Sequence, residues 1–198
     1  MAYDLFAPEV ITVDGNGSVY ALIWGNDTVS NAIHLFSHGG RETVIPIGNN
    51  IDITTDKDGN LYMLNHPSNY FLSDITIQKM GLNGTVSTIY TNDRSDFAEK
   101  MINSIAVDNN GTIYFSYFNM TQPYYGDPGG LRFIQTYENT SYIASISPNG
   151  TINKVYSDNS TPISGTARIS VDSNGTIYVG DYSNTIKVID SKGKVRLI

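Results

Sequence analysis

The sequence predicts an all-β fold, a β-propeller of four-stranded antiparallel blades with four blades in the chain. Three observations predict it. One complete four-strand unit occupies 167–198 without an insertion, the first turn of that unit recurs four times along the chain, and its second turn recurs as well. No segment shows a sustained helical period. Repetition of one sheet unit is typical of propeller architectures, in which neighbouring blades bury each other's faces.

The last unit shows what each blade contains. Alternating or β-branched segments at 167–172, 177–182, 186–190 and 194–198 predict four strands, and Asn-Gly and Lys-Gly pairs predict the tight turns. The connection between the second and third strands is a loop. Each unit is therefore strand a, tight turn, strand b, loop, strand c, tight turn, strand d.

The first turn recurs as V-D-G-N-G-S-V-Y, T-D-K-D-G-N-L-Y, V-D-N-N-G-T-I-Y and V-D-S-N-G-T-I-Y. We expect its aspartate to cap the turn, its glycine to take a positive φ and its tyrosine to begin the packing of the next strand. These residues are Asp14, Asp56, Asp108, Asp172, Gly17, Gly59, Gly111, Gly175, Tyr20, Tyr62, Tyr114 and Tyr178.

The second turn recurs at 37–40, 81–84, 147–150 and 191–193 and completes the strand assignment. Strands are predicted at 9–14, 19–24, 32–37 and 43–48, then at 50–56, 61–65, 74–80 and 86–91, and then at 102–108, 113–118, 142–148 and 152–157. The chain is thus one propeller domain, 1–198, with blades at about 9–48, 50–91, 102–157 and 167–198 and an insertion at 119–141. Four blades either close on themselves or belong to a larger propeller, and the sequence leaves both open.

The long connections all fall on one rim. The tight a-b and c-d turns form one side of the predicted propeller, the tight-turn face. The b-c and d-a connections form the other, the long-loop face, with loops at 25–31, 66–73, 92–101, 119–141 and 158–166. Binding residues concentrate on variable loops held by a rigid scaffold, so this face is the predicted binding surface.

The segments V-D-S-N-G-T-I-Y-V-G-D-Y-S-N-T-I-K-V-I-D-S-K-G and I-A-V-D-N-N-G-T-I-Y-F resemble NHL-type propeller repeats. More loosely, they are similar to blades of gluconolactonase/SMP-30-like and streptogramin-lyase-like propellers. The NHL resemblance implies a surface for protein or other macromolecular partners. A lyase of the second type would need a histidine base near the channel. Of His34, His38 and His66, only His66 falls on the long-loop face, and we expect all three to be solvated or edge residues.

Strand a of each blade is expected to line the channel. The residues four before each repeat aspartate then ring its mouth: Val10, Asp52, Ser104 and Arg168. Asp52 and Arg168 form either an ion pair between blades or a direct ligand contact. The related hydrolases would hold a divalent metal by a Glu, an Asn and an Asp at this mouth. Glu9 is the candidate for the glutamate, although the Gly-Pro context of the family's glutamate is missing, and metal binding by Glu9, Asp52, Asn103 and His66 would favour an enzyme.

The insertion at 119–141 carries Tyr124, Tyr125, Arg132, Phe133 and Tyr137. Tyrosine and arginine recur in binding hot spots, so these residues predict a docking site, flanked by Tyr70, Phe71 and Arg94. The alternative is that the aromatic residues cap the propeller or form a long hairpin. The neighbouring acids Asp93, Asp96 and Asp127 favour a polar or cationic ligand over a lipid.

Composition bounds the remaining function classes. The net charge of -7, with 12 Lys and Arg in total, argues against nucleic acid and anionic membranes. No cysteine is present, and no apolar run suggests insertion into a membrane. Nine N-x-S/T sequons suit an extracellular or cell-surface protein, although turn chemistry alone explains five of them.

The sequence therefore predicts a non-catalytic binding or scaffolding domain that presents its long-loop face to a protein or polar ligand. The alternative is a metal-dependent hydrolase or lyase with its site at the channel mouth. We expect no cofactor, and a divalent metal only under the hydrolase alternative. Calcium is not expected at 56–60, because this calcium-loop-like run lacks a third spaced ligand and a distant glutamate. The oligomeric state is left open.

Overall fold

A computed structural model describes residues 8–25, 31–66, 75–92, 99–121, 136–156, 163–164, 167–181 and 184–198. These residues form seventeen β-strands and no helix. In this part of the chain there is accordingly no helix that is long and apolar enough to cross a membrane. The described residues are therefore all-β, as predicted.

The strands form four antiparallel sheets in which spatial order follows chain order. Blade 1 contains β1 (Val10–Val13), β2 (Val19–Ile23), β3 (Ala32–Phe36) and β4 (Glu42–Pro46), and blade 2 contains β5 (Asn50–Thr55), β6 (Leu61–Asn65), β7 (Thr76–Met80) and β8 (Val86–Thr91). Blade 3 contains β9 (Glu99–Val107), β10 (Ile113–Thr121), β11 (Thr136–Ile146) and β12 (Ile152–Tyr156), with β13 (Ile163–Ser164) paired to β11. Blade 4 contains β14 (Arg168–Val171), β15 (Ile177–Gly180), β16 (Ile186–Ile189) and β17 (Val195–Leu197). This arrangement is a four-blade β-propeller, and the fold prediction is confirmed.

The core lies between blades because both faces of each internal sheet are apolar. Leu22 and Ile33 of blade 1 pack with Ile53 and Met63 of blade 2. A larger cluster of buried apolar residues joins blades 2 and 3 around Phe115. Another cluster, formed by strands of both sheets, joins blades 3 and 4. Burial on two faces explains why strands such as β9 are almost continuously apolar.

The inner strands follow one another around the axis. β1 contacts β5, β5 contacts β9, and β9 contacts β14. Among the described strands, no packing of comparable extent joins β14 back to β1. The blades are thus stacked in sequence, and each rests on the preceding one.

The tight turns have the predicted chemistry. Asp108 Oδ1 accepts hydrogen bonds from the backbone N–H groups of Asn110 and Thr112, both at 2.9 Å, and Gly111 has a φ of +80°. The aspartates of the other three units accept the same pair of bonds. The geometry is that of a turn closed by a residue in the left-handed region, which favours glycine.

Blade 3 differs from the prediction. β10 extends to Thr121 and β11 begins at Thr136, so both flanks of the predicted 119–141 loop continue the hairpin. The added β13 pairs with β11 through Ser141 and Ile163. The long-hairpin alternative therefore holds for the described flanks, because the strands extend where backbone groups find partners.

Candidate functional site

Three polar side chains meet where the inner strands reach the long-loop face. Asp52, Ser104 and Arg168 stand at equivalent positions of β5, β9 and β14, paired with Leu64, Ser116 and Gly180 of the neighbouring strands. Val10 is the corresponding residue of β1. The repeat register therefore brings these residues to one level along the axis, as the sequence predicts.

Asp52 is buried and holds this cluster together. Its Oδ2 accepts a hydrogen bond of 2.8 Å from the backbone N–H of Ile105, and its Oδ1 accepts one of 3.1 Å from that of Ile53. Arg168 Nη1 lies 3.2 Å from Asp52 Oδ1. The expected Asp52–Arg168 ion pair is thus present, and it joins blade 2 to blade 4 past the intervening β9.

Ser104 links the same three blades. Its hydroxyl hydrogen-bonds to the Asp52 carboxylate, and its oxygen accepts a bond of 3.2 Å from the backbone N–H of Ile169. One strand farther out, the Ser116 hydroxyl donates to the carbonyl of Ala167 at 2.8 Å. Ser116 thus stands where blades 1 and 2 hold Leu22 and Leu64, and both serines bind the backbone of blade 4.

Burial raises the pKa of Asp52, because the charged form loses water. The hydroxyl of Ser104, the guanidinium of Arg168 and the two backbone donors oppose this effect without cancelling it. The Arg168 side chain, by contrast, is 55% exposed. The cluster therefore consists of a buried acid with an accessible cation in front of it.

His66 lies at the end of β6 and is buried, which corrects the expectation of a solvated or edge histidine. Its Nε2 donates to the carbonyl of Ile102 at 2.8 Å, and its backbone N–H donates to the carbonyl of Asn49. Burial lowers the pKa of the imidazole, with the Ile102 bond opposing it. His66 therefore joins blades 2 and 3 as a neutral ring.

Within the described part of the chain, two buried side-chain amide atoms have no hydrogen-bond partner, namely Oδ1 of Asn50 and Nδ2 of Asn103. Asn50 begins β5, two residues before Asp52, and Asn103 precedes Ser104 in β9. Unpaired buried polar atoms are rare and costly. Sequence reasoning missed Asn50, because nothing in its local pattern marks it as buried.

Most of the remaining predicted site residues fall on parts of the chain that the structure does not describe. Tyr70, Phe71, Arg94, Tyr124, Tyr125 and Arg132 lie outside the described residues. Tyr137 lies in β11, where its backbone pairs with Met120. Glu9 precedes β1, is exposed, and donates its backbone N–H to the carbonyl of Leu22. The structure therefore brings together Asp52, Ser104 and Arg168, with Asn103 adjacent to them.

A concavity of about 760 Å³ opens on the tight-turn face between blades 2 and 3. Asp56, Tyr62 and Lys79 line it. Both Asp56 oxygens accept hydrogen bonds, Oδ1 from the backbone of Asp58 and Asn60, and Oδ2 from the Asn60 amide and the Tyr62 hydroxyl. Lys79 Nζ lies 3.7 Å from Oδ2.

These contacts account for the charge of Asp56. Burial alone would raise its pKa, but the donors from Asn60 and Tyr62, together with Lys79, lower it. A carboxylate so fully bonded within its own turn closes a hairpin and does not need a cation. Within the described residues, no group of three histidine or acidic side chains is close enough to hold a metal.

No protein-family model matches the sequence, and no curated protein matches it. A solved protein from Lactobacillus plantarum is 13% identical, with a TM-score of 0.46, and the match covers 98% of this chain and 72% of that one. The α-L-arabinanase of Penicillium chrysogenum complexed with arabinobiose is 12% identical, with a TM-score of 0.51, and the match covers 91% of this chain and 57% of the arabinanase. The arabinanase is a β-propeller protein, and at this identity the likeness shows the fold alone.

Proposed function

We propose that the chain is an NHL-type propeller domain that binds a polar ligand or protein, without catalysis, at its long-loop face. The observation that carries the proposal is the half-exposed Arg168 guanidinium held in front of the buried Asp52 carboxylate. Asp52 uses one nitrogen of the guanidinium, and the fork has other N–H donors for a ligand. A fixed and charged group at the end of a rigid strand is suited to recognition.

The chemistry of Arg168 favours a carboxylate on the ligand, because the planar guanidinium matches that group in a two-bond contact. The acids that favoured a cationic ligand, Asp93, Asp96 and Asp127, lie outside the described residues. A carboxylate-bearing polar ligand therefore fits the described part of the face better than a cation.

One observation favours the second candidate, a hydrolase. Asp52 is a buried acid with a raised pKa at a propeller axis, and perturbed acids are enriched at catalytic sites. Glycoside hydrolysis, however, uses a pair of carboxylates with free oxygen atoms. Both oxygens of Asp52 already accept backbone N–H bonds, and Arg168 covers Oδ1. Binding is therefore the better supported function.

The proposal is tested with glucuronate as the probe and glucose as its neutral counterpart. In ¹⁵N NMR titrations, glucuronate should shift the Arg168 side-chain Nε–H signal and the backbone signals of Ile105 and Ile169, whereas glucose should not. Arg168→Ala should abolish the shifts, and Arg168→Lys should weaken them, because it keeps the charge without the fork.

Arg41→Ala is the matched control, since Arg41 is an exposed arginine in a turn of the opposite face. Equal responses of the Arg168→Ala and Arg41→Ala variants would contradict the proposal. Release of reducing sugar from an arabinan or glucan, lost on Asp52→Asn, would establish the hydrolase instead.

A further inference from the structure

Among the described residues, the two ends of the blade series each present a sheet face on which no further strand packs. The leading face belongs to blade 1 and carries Ile11, Val13, His34, Glu42 and Val44, which alternate with the residues that face blade 2. The trailing face belongs to blade 4 and carries Ser170, Tyr178, Ile186, Arg196 and Ile198, which alternate with the residues that face blade 3. In every internal junction, the trailing face of one blade packs on the leading face of the next.

The leading face has the composition of an internal one. Ile11 is 59% exposed, whereas the residues at its position in the next three blades, Ile53, Ile105 and Ile169, are 3%, 3% and 9% exposed. Val13 and Val44 are also exposed on the same face. The isoleucine that is buried in the other three blades is thus open to solvent in blade 1.

The trailing face shows the same pattern from the other side. Ile186 pairs with Gly180 of β15. It is equivalent in the repeat to Ile33, Ile77 and Ile143, which pair in the same register with β2, β6 and β10. Those three isoleucines are fully buried, whereas Ile186 is 45% exposed. Ile198 is bonded to Ile186 through both backbone groups and is exposed beside it.

The two faces also carry charges of opposite sign. Glu42 lies on β4, the outermost strand of the leading face, and is about half exposed. Arg196 lies on β17, the outermost strand of the trailing face, and is exposed. In the strand register, Arg196 of blade 4 occupies the position that Thr43 occupies in blade 1, and Thr43 is the neighbour of Glu42. Stacking the two faces as in the internal junctions therefore brings the two charges to the same level along the propeller axis.

We propose that a second copy of the chain covers both faces. The trailing face of each copy packs on the leading face of the other, and the dimer closes as an eight-bladed ring. Two identical junctions related by a twofold axis close without leaving a free face, which is the usual form of a symmetric dimer. Eight blades lie within the range of known propellers. Each junction repeats a packing mode that the chain already uses three times.

The test is sedimentation velocity on the full chain. We expect twice the 21.7 kDa of one chain. Ile11→Lys and Ile186→Lys should each yield monomers, because either substitution places a charge in both junctions. Leu82→Lys is the control, since Leu82 is an exposed apolar residue in a tight turn away from both faces. Circular dichroism verifies that each variant is folded.

Charge reversal determines the orientation of the two copies. Glu42→Arg and Arg196→Glu should each weaken the dimer at least tenfold, and the double variant should recover most of the loss. A monomeric wild-type chain would overturn the proposal, as would a dimer that withstands both lysine substitutions. A dimer broken by Glu42→Arg but unaffected by Arg196→Glu would join two leading faces, and it would overturn the head-to-tail arrangement.

Discussion

The ionisation of a single residue, Asp52, makes the stability of the fold depend on pH. Its folded-state pKa is raised above the ordinary value of 3.8, so above that value the folded protein holds a proton that the unfolded chain has lost. The stability that this group contributes is complete below pH 3.8 and is lost as the pH rises through the raised pKa. Ionisation of Asp52 is therefore a cost to the stability of the fold.

We expect Asp52→Asn to gain stability relative to the wild type as the pH rises from below 3.8 toward neutrality. The amide carries no charge to desolvate, and the attraction between Arg168 and the ionised carboxylate is already contained in the net pKa shift of Asp52. Urea unfolding at a series of pH values measures the difference. His66, whose pKa is lowered by burial, cancels in that difference because both proteins contain it.

Asp56→Asn is the matched comparison with the opposite sign. The pKa of Asp56 is lowered, so its contribution is present above pH 3.8 and is lost as the pH falls through the folded-state value. With rising pH, the stability of the wild type should therefore increase relative to that of Asp56→Asn and decrease relative to that of Asp52→Asn. Parallel pH profiles for the two variants would show that the two carboxylates are in equivalent environments.

At the scale of elements, the turn at 37–40 allows the effect of backbone conformation on stability to be measured apart from the effect of packing. Gly39 and Gly40 are adjacent, and a methyl group on either would meet no atom within 4 Å. Only Gly40 has a positive φ, of +78°. Gly40→Ala should therefore lower the free energy of unfolding by about 1–2 kcal/mol, the cost of the left-handed conformation for an L-residue.

Gly39→Ala is the control and should be neutral or slightly stabilising, because it lowers only the entropy of the unfolded chain. Thermal unfolding of both variants measures the two effects. Equal losses at the two positions would mean that the turn is held by something other than the conformation of Gly40.

The elements were predictable where turn chemistry bounds them. Strands such as β6 and β8 begin and end at the predicted residues, because an aspartate or glycine turn stands beside each. The extension of β10 and β11 was not predictable, since it depends on cross-strand pairs such as Met120 with Tyr137 rather than on local pattern. The repeat register placed Asp52 and Arg168 together, whereas the burial of His66 depends on the carbonyl of Ile102, 36 residues away.

At the scale of the whole molecule, the sequence predicted four blades but left their closure open, because the same repeat suits any ring size. The structure supplies the order of contacts among inner strands, which runs from β1 through β5 and β9 to β14. An array in which each unit touches only its neighbours has a stability that is nearly a sum of unit and junction contributions. Each end blade of one chain has one such junction, and each middle blade has two.

The order of the inner strands therefore also sets the direction in which one chain comes apart. Amide hydrogen exchange should be fastest in blades 1 and 4 and slowest beside the large cluster between blades 2 and 3, because an end blade opens by breaking one junction. The measurement belongs on the Ile11→Lys variant, in which the chains are expected to be monomers. Uniform protection across all four blades would mean that a single chain unfolds as one cooperative unit, with no preferred end from which opening begins.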